Sequence, residues 1–223
     1  MDPYILYASV ITFLATHFIS STPLRPLLAQ AIGERGYLVA YSLVAFAALG
    51  WMIWAFVRVP PEPLWPGLRL APALVMPFAF MLMAGGLLTR NPSAVGQAKA
   101  LKAGEPARGM LRITRHPMMW GFMLWAAAHI VARGELKATV FFGAFLVLAA
   151  LGALAIDRRK EKTLGEDWRR FAAATSYFPF LAIAQGRNRF DAREIGWRIP
   201  AIGLALYAAF LWLHPLLFGL RPY

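Results

Sequence analysis

The sequence predicts an all-α integral membrane protein. It reads as a bundle of about six transmembrane helices with one amphipathic helix in the cytoplasm or at the membrane interface. Three observations lead there. The 223 residues are 59% hydrophobic and only 15% charged, whereas a soluble domain is about half apolar and a quarter charged. Apolar runs long enough to cross a bilayer recur along the chain. The basic residues are also unevenly shared between alternate loops.

The first span covers about Tyr4–Ser20 and the second about Tyr37–Val57, rich in Ala, Leu and Trp. The third, about Ala71–Leu88, carries Pro72 and Pro77 and ends at Gly85-Gly86, which predicts kinks. The fourth, about Pro117–Ala132, opens with a proline whose missing N–H costs nothing in a first turn. The fifth, about Ala138–Ile156, offers Gly143 and Gly152 for close helix contact. The sixth covers about Ile199–Phe218. Pro60-Pro61-Glu62-Pro63 and Pro66 mark a short connection between the second and third spans.

Two longer aqueous segments, about 89–116 and 157–197, interrupt this series within a single membrane domain over 1–223. The first holds Asn91-Pro92, Gly96, Gly104 and Gly109, which is loop chemistry with room for one short helix. In the second, a helix continues out of the membrane from Asp157 towards Phe180. Trp168, Phe171 and Tyr177 among basic residues predict a helix lying at the interface. For its basic residues, a snorkelling solvated face and a specific site for an acidic ligand are equal alternatives.

Six spans put both termini on one side. The first, third and fifth loops then share the other, with two, six and ten basic residues, or 18 of the 23. That bias makes the basic loops cytoplasmic and both termini periplasmic. It also accounts for the net charge of +12 as membrane topology rather than nucleic-acid binding. The absence of cysteine excludes disulfides, thiolate metal sites, thioether-linked haem and a thiol nucleophile. Met1-Asp2-Pro3 lacks the positive start of a signal peptide, so the first span is expected to be retained.

An ionisable side chain inside a bilayer is expensive and has a partner. His17 lies in the first span and His129 deep in the fourth. His116 heads the fourth span, and His214 precedes Pro215 near the interface. A neutral imidazole there hydrogen-bonds across helices, relays protons or ligates a metal. Two imidazoles from separate helices can also hold an iron porphyrin from its two faces, and without cysteine that haem is b-type. Arg112 and Arg115 then suit the propionates, because guanidinium meets carboxylate bidentately. Depth complicates the pairing. His129 is about 18 Å beyond Pro117, whereas His17 is only about 5 Å before Ser20. Either the first helix continues past Ser20, or the Arg115-His116-Pro117 turn dips into the membrane, or His17 pairs with His116 instead.

Several motifs together resemble the NnrU family of bacterial membrane proteins. They are His17 followed by Pro23-Leu24-Arg25 and Gly33-Glu34-Arg35; then Asn91-Pro92-Ser93-Ala94-Val95-Gly96-Gln97; then Ile113-Thr114-Arg115-His116-Pro117 continued through Trp120-Gly121, Trp125 and His129. The resemblance implies a protein of the bacterial inner membrane. The family is similar to plant zeta-carotene isomerase, which implies haem b ligated at His17 and His129 and cis–trans isomerisation of an apolar polyene. That enzyme has a cysteine where this chain has Ala126, so a ligand switch is not implied here. The family's name links it to nitrite and nitric oxide metabolism, which would imply instead a haem protein with a redox partner. A weaker resemblance joins Arg115-His116-Pro117 with Glu161, Leu164-Gly165, Trp168 and Phe171. It is similar to membrane methyltransferases of the isoprenylcysteine carboxyl type and implies S-adenosylmethionine near His116 and Glu161. The expected partners are the lipid bilayer, an apolar small molecule and a redox partner, with no nucleic acid. A purely structural assembly factor would bind none of these cofactors.

Overall fold

The computed structural model describes residues 2–94, 96–102, 105 and 107–220. Val95, Gly104 and Arg221, each named above or counted among the loop residues, lie outside the described residues. About 76% of the chain is helix, and no strand occurs among the described residues. The helices are α1 (Tyr4–Phe18), α2 (Leu24–Arg58), α3 (Ala71–Leu88), α4 (Met110–Ile113), α5 (Pro117–Arg133), α6 (Leu136–Leu164), α7 (Glu166–Ala174), α8 (Leu181–Ala184), α9 (Ala192–Ile195) and α10 (Arg198–Phe218). Five of them, α1, α2, α3, α6 and α10, are long and apolar enough to cross a membrane. The expected fourth span is present as α5, at 17 residues.

The long helices form a row. α2 packs on α1, α1 on α6, α6 on α5, α5 on α3 and α3 on α10. The buried core follows the middle of that row, where Leu6, Phe13, Met52, Ala126, Ala138, Phe141 and Phe142 cluster. The end helices turn large apolar residues outwards, including Phe46 at 71% and Trp212 at 80% exposed. Such surfaces are stable only against lipid tails or another apolar cover.

Three local expectations are corrected. Gly143 and Gly152 face open space, with nothing within 4 Å of an added Cβ. The close approaches lie elsewhere. At Gly121 an added Cβ would come within 2.5 Å of Met83 Cγ and 2.8 Å of the Ala79 carbonyl, so this glycine lets α5 press onto α3. α3 is one continuous helix through Pro77, with Pro72 in its first turn where the lost N–H is harmless. The second span begins thirteen residues early: α2 contains an arm, residues 24–32, set off by Gly33 at φ 76° and ψ 157°. That conformation is open to glycine and strained for other residues.

The ends of the row differ in chemistry. At one end the Pro60–Gly67 connection folds back on the α5–α6 turn. Leu64 and Trp65 amides donate to the Gly134 carbonyl, and the Leu136 amide donates to Glu62. At the other end the second and third of the basic loops meet. Asn91 and Ser93 bond to the Arg115 carbonyl, Lys160 donates to the Ala94 carbonyl, and Arg112 reaches Asn188 and Glu194. α7 belongs to this end, but its aromatic face does not meet lipid. Trp168 and Phe171 are each 2% exposed, packed against Ala107 and Leu111. Arg169 and Arg170 remain outside, paired with Glu166 and Asp167 on the same helix.

Overpacking a tight helix crossing costs about 1–3 kcal/mol. Gly121→Val is therefore expected to lower the thermal midpoint of the detergent-solubilised protein by several degrees. Gly143→Ala should leave it unchanged, read by loss of helical circular dichroism on heating.

Candidate functional site

His17 of α1 and His129 of α5 are held the same way. His17 Nδ1 lies 2.7 Å from the Phe13 carbonyl oxygen, and His129 Nδ1 lies 2.8 Å from that of Trp125. A carbonyl can only accept, so each Nδ1 carries the proton and donates to the turn below. Each Nε2 then keeps its lone pair, and neither has a hydrogen-bond partner among the described residues. Pinning Nδ1 on a carbonyl while exposing Nε2 is how proteins present imidazole to a metal.

A ladder of rings connects the two. His17 lies 4.2 Å from Phe13, Phe13 5.2 Å from Phe145, Phe145 5.1 Å from Trp125, and Trp125 5.5 Å from His129. Phe142 closes on His129 from α6 at 4.9 Å. The ladder also sets their levels. α1 and α6 run the same way, since Tyr7 and Leu136 line one small cavity near their starts and Phe13 meets Phe145 further on. α5 runs back along α6 from the tight turn at Gly134. His17 is one turn beyond Phe13 and His129 one turn beyond Trp125 in the opposite direction. Their Cα atoms are thus about two helical turns, roughly 11 Å, apart along the bundle, and each ring leans back from its Cα towards the level of Phe13 and Trp125. Two imidazoles with unshared Nε2 lone pairs are the donor chemistry that haem b takes.

The polar residues expected around the site gather at the basic end. His116 caps α5, is 3% exposed, and its Nε2 donates to Asp157 Oδ1 at 2.7 Å. Arg115 Nε and Nη2 donate to Asp157 Oδ2 at 2.9 and 2.6 Å. Asp157 is thus shared by two cationic or donor side chains of the α5 entry turn. Around it, Thr114 Oγ1 and Trp120 Nε1 both donate to the Tyr177 carbonyl at 2.7 Å, and the Tyr177 hydroxyl reaches the Ala150 carbonyl at 3.1 Å. Glu161, matched with His116 in the methyltransferase-like pattern, is exposed one turn beyond Asp157.

Arg112 belongs to a second network. Its Nε and Nη2 grip Glu194 at 2.7 and 2.8 Å, and its Nη1 donates to Asn188 at 2.6 Å. Its side chain is 6% exposed. A cavity of about 410 Å³ adjoins it, lined among others by Glu105, Phe171 and Arg187. The hydrogen bonds from Arg112, with the Gly109 amide and against the effect of burial, hold the Glu194 carboxyl at about 2, and the same pairing raises Arg112. Arg112 and Arg115, expected beside propionates, are thus each engaged by a carboxylate of the chain itself. Each guanidinium already has its anion within the chain. His116 is likewise bonded through Nε2 to Asp157, so it does not offer that atom to iron.

Sequence reasoning missed Asp157, Glu194, Asn188 and Tyr177. Asp157 left a faint signal, the one acid at the point where the apolar run of α6 turns basic. Glu194 left none, since its partner is 82 residues away.

A family model described as NnrU protein matches residues 5–222. The chain belongs to the NnrU family. Among curated proteins this NnrU member is 38% identical over 117 residues to the chloroplastic 15-cis-zeta-carotene isomerase of Arabidopsis thaliana, a match covering 50% of this chain and 31% of that one. It is 31% identical over 112 residues to the enzyme of the same name from Zea mays, covering 49% of this chain and 31% of that one. The match thus spans about a third of the relatives' length. No solved structure matches it.

Two outcomes follow from the charge networks. Asp157→Asn leaves Arg115 without its anion and should cost about 3 kcal/mol, read as a lower unfolding midpoint in detergent. The depressed Glu194 carboxyl contributes stability present in full above its ordinary value of 4.5 and lost as pH falls through about 2. Between those values Glu194→Gln should flatten the fall in thermal midpoint seen for the wild type.

Proposed function

We propose that this NnrU protein is a membrane-embedded cis–trans isomerase of an apolar polyene of the carotene type, in which His17 and His129 would supply the nitrogen donors that hold haem b. The observation that carries the reading is the pair of intramembrane imidazoles with pinned Nδ1 and free Nε2, in a chain similar to 15-cis-zeta-carotene isomerases. When bound, haem supplies an iron centre able to weaken the double-bond character of a polyene. The chain supplies the rest. Phe13, Trp125, Phe142 and Phe145 pack between the two imidazoles as an aromatic layer without polar contacts, the kind of surroundings a conjugated chain requires. The Phe13 and Trp125 carbonyls fix the imidazole tautomers. The apolar core excludes water, and the outward faces of the helices admit a substrate dissolved in lipid.

The same reading makes α5 a sixth crossing. Its 17 residues rise about 26 Å, slightly short of a 30 Å hydrocarbon core, a mismatch relieved by Arg133 at its end. Six crossings put the basic loops in the cytoplasm and both termini in the periplasm of a bacterial inner membrane. The bilayer and an apolar small molecule are the partners this requires, with a redox partner to set the iron's state.

The test is an absorption spectrum of the full chain purified in detergent after haem-replete expression. A Soret band that shifts on reduction is expected, weakened or lost in His17→Ala and in His129→Ala. The reduced protein should convert a 15-cis polyene to its trans form in vesicles. A colourless protein would refute the cofactor. A band lost only in His129→Ala would assign a single histidine ligand. A coloured protein inert towards the polyene would favour the redox reading.

A further inference from the structure

The motif Pro23-Leu24-Arg25 with Gly33-Glu34-Arg35 has no part in the ligand pair, yet the structure gives it a shape. The Gly33 break folds the 24–32 arm of α2 back so that Arg25 and Glu34 form an ion pair. Leu27 and Ile32 on the arm are more than half exposed, as in a segment lying in the interface. The fold sets the Arg25 guanidinium 5.3 Å over the ring of Tyr37. Tyr37 stacks on Tyr41 at 6.0 Å, and Tyr41 stands 6.3 Å from His17.

Tyr37 is 4% exposed, and its hydroxyl is buried without a hydrogen-bond partner among the described residues. Glu34, the nearby acid, is engaged by Arg25 and is 56% exposed at its side chain. An orphaned buried donor is costly, and a donor on a ring that carries a guanidinium is matched by an acceptor with negative charge. Aromatic packing alone needs only the ring, so it does not explain a hydroxyl here.

We propose that the Tyr37 hydroxyl, on a ring that carries the Arg25 guanidinium, receives an oxyanion at the α1–α2 corner. Its source is either a carboxylate of a porphyrin bound through His17 or the phosphate of a membrane lipid. The porphyrin source rests on the haem reading above; the lipid source does not.

The experiment uses the full chain in phosphatidylcholine nanodiscs as wild type, Tyr37→Phe and Arg25→Gln. One arm titrates protohaem and its dimethyl ester by absorbance. The other measures retention of phosphatidylglycerol against phosphatidylcholine by native mass spectrometry. Tyr37→Phe should weaken one anionic ligand about tenfold and leave the dimethyl ester and phosphatidylcholine unaffected. Loss confined to protohaem names the carboxylate as the ligand, and loss confined to phosphatidylglycerol names the phosphate. Both affinities staying within about twofold of wild type, in a variant with an unchanged melting curve, overturns the proposal. If Tyr37→Phe does not fold, Arg25→Gln decides on the same criteria. A wild type that takes up no haem ends the cofactor reading, while the lipid arm still decides this one.

Discussion

Asp157 is the point through which the basic end of the bundle is tied together. It stands where α6 leaves its apolar stretch, and it holds both Arg115 and His116 from the turn that starts α5. That turn is in turn clasped by Asn91 and Ser93 through the Arg115 carbonyl, and by the Tyr177 segment through Thr114 and Trp120. One carboxylate thus sets the spacing of α5 against α6 and anchors two loops that are distant in sequence. Everything deeper, including the level at which His129 meets Phe142, follows from how those two helices are registered.

The same logic of satisfaction operates inside the apolar layer, with fewer means. Lipid offers no hydrogen bond, so each polar side chain there must find its partner within the protein. His17 and His129 do this with one ring nitrogen apiece, as Thr12 and Thr16 do with their hydroxyls. A threonine hydroxyl is fully occupied by such a bond as a donor. An imidazole is not, because its second nitrogen remains a lone-pair donor to something else. That difference is what sets the histidines apart from the other intramembrane polar groups.

Much of this was legible in the sequence, and the legible part has a physical reason. Crossing helices are written in long apolar runs, so α3, α5 and α10 begin and end within a few residues of where hydropathy and proline placed them. The start of α2 was not legible, because a helix and a helix broken at one glycine share the same composition. Its arm is revealed only by the Gly33 conformation. The interfacial character expected of α7 failed for a related reason. An amphipathic face specifies that something apolar covers it, and here the cover is Leu101, Ala107 and Leu111 rather than lipid. The helix contacts expected at Gly143 and Gly152 failed because a small residue permits a close approach without causing one.

The candidate site was legible by residue type and not by arrangement. Two histidines in apolar spans announce themselves, but the pairing of Arg112 with Glu194 and of Arg115 with Asp157 links residues 82 and 42 positions apart, beyond any local pattern. Those pairings shift the weight of the functional argument. With both arginines neutralised, the basic end supplies cohesion and orientation rather than free cations for a ligand. What remains available is an aromatic, water-excluding interior with two unshared nitrogens and, beside one of them, an unpartnered phenol under a guanidinium. A hydrocarbon substrate needs no polar group to recognise it. A site for one would therefore be built from ring faces and depth, which is the part of the chemistry a motif cannot record.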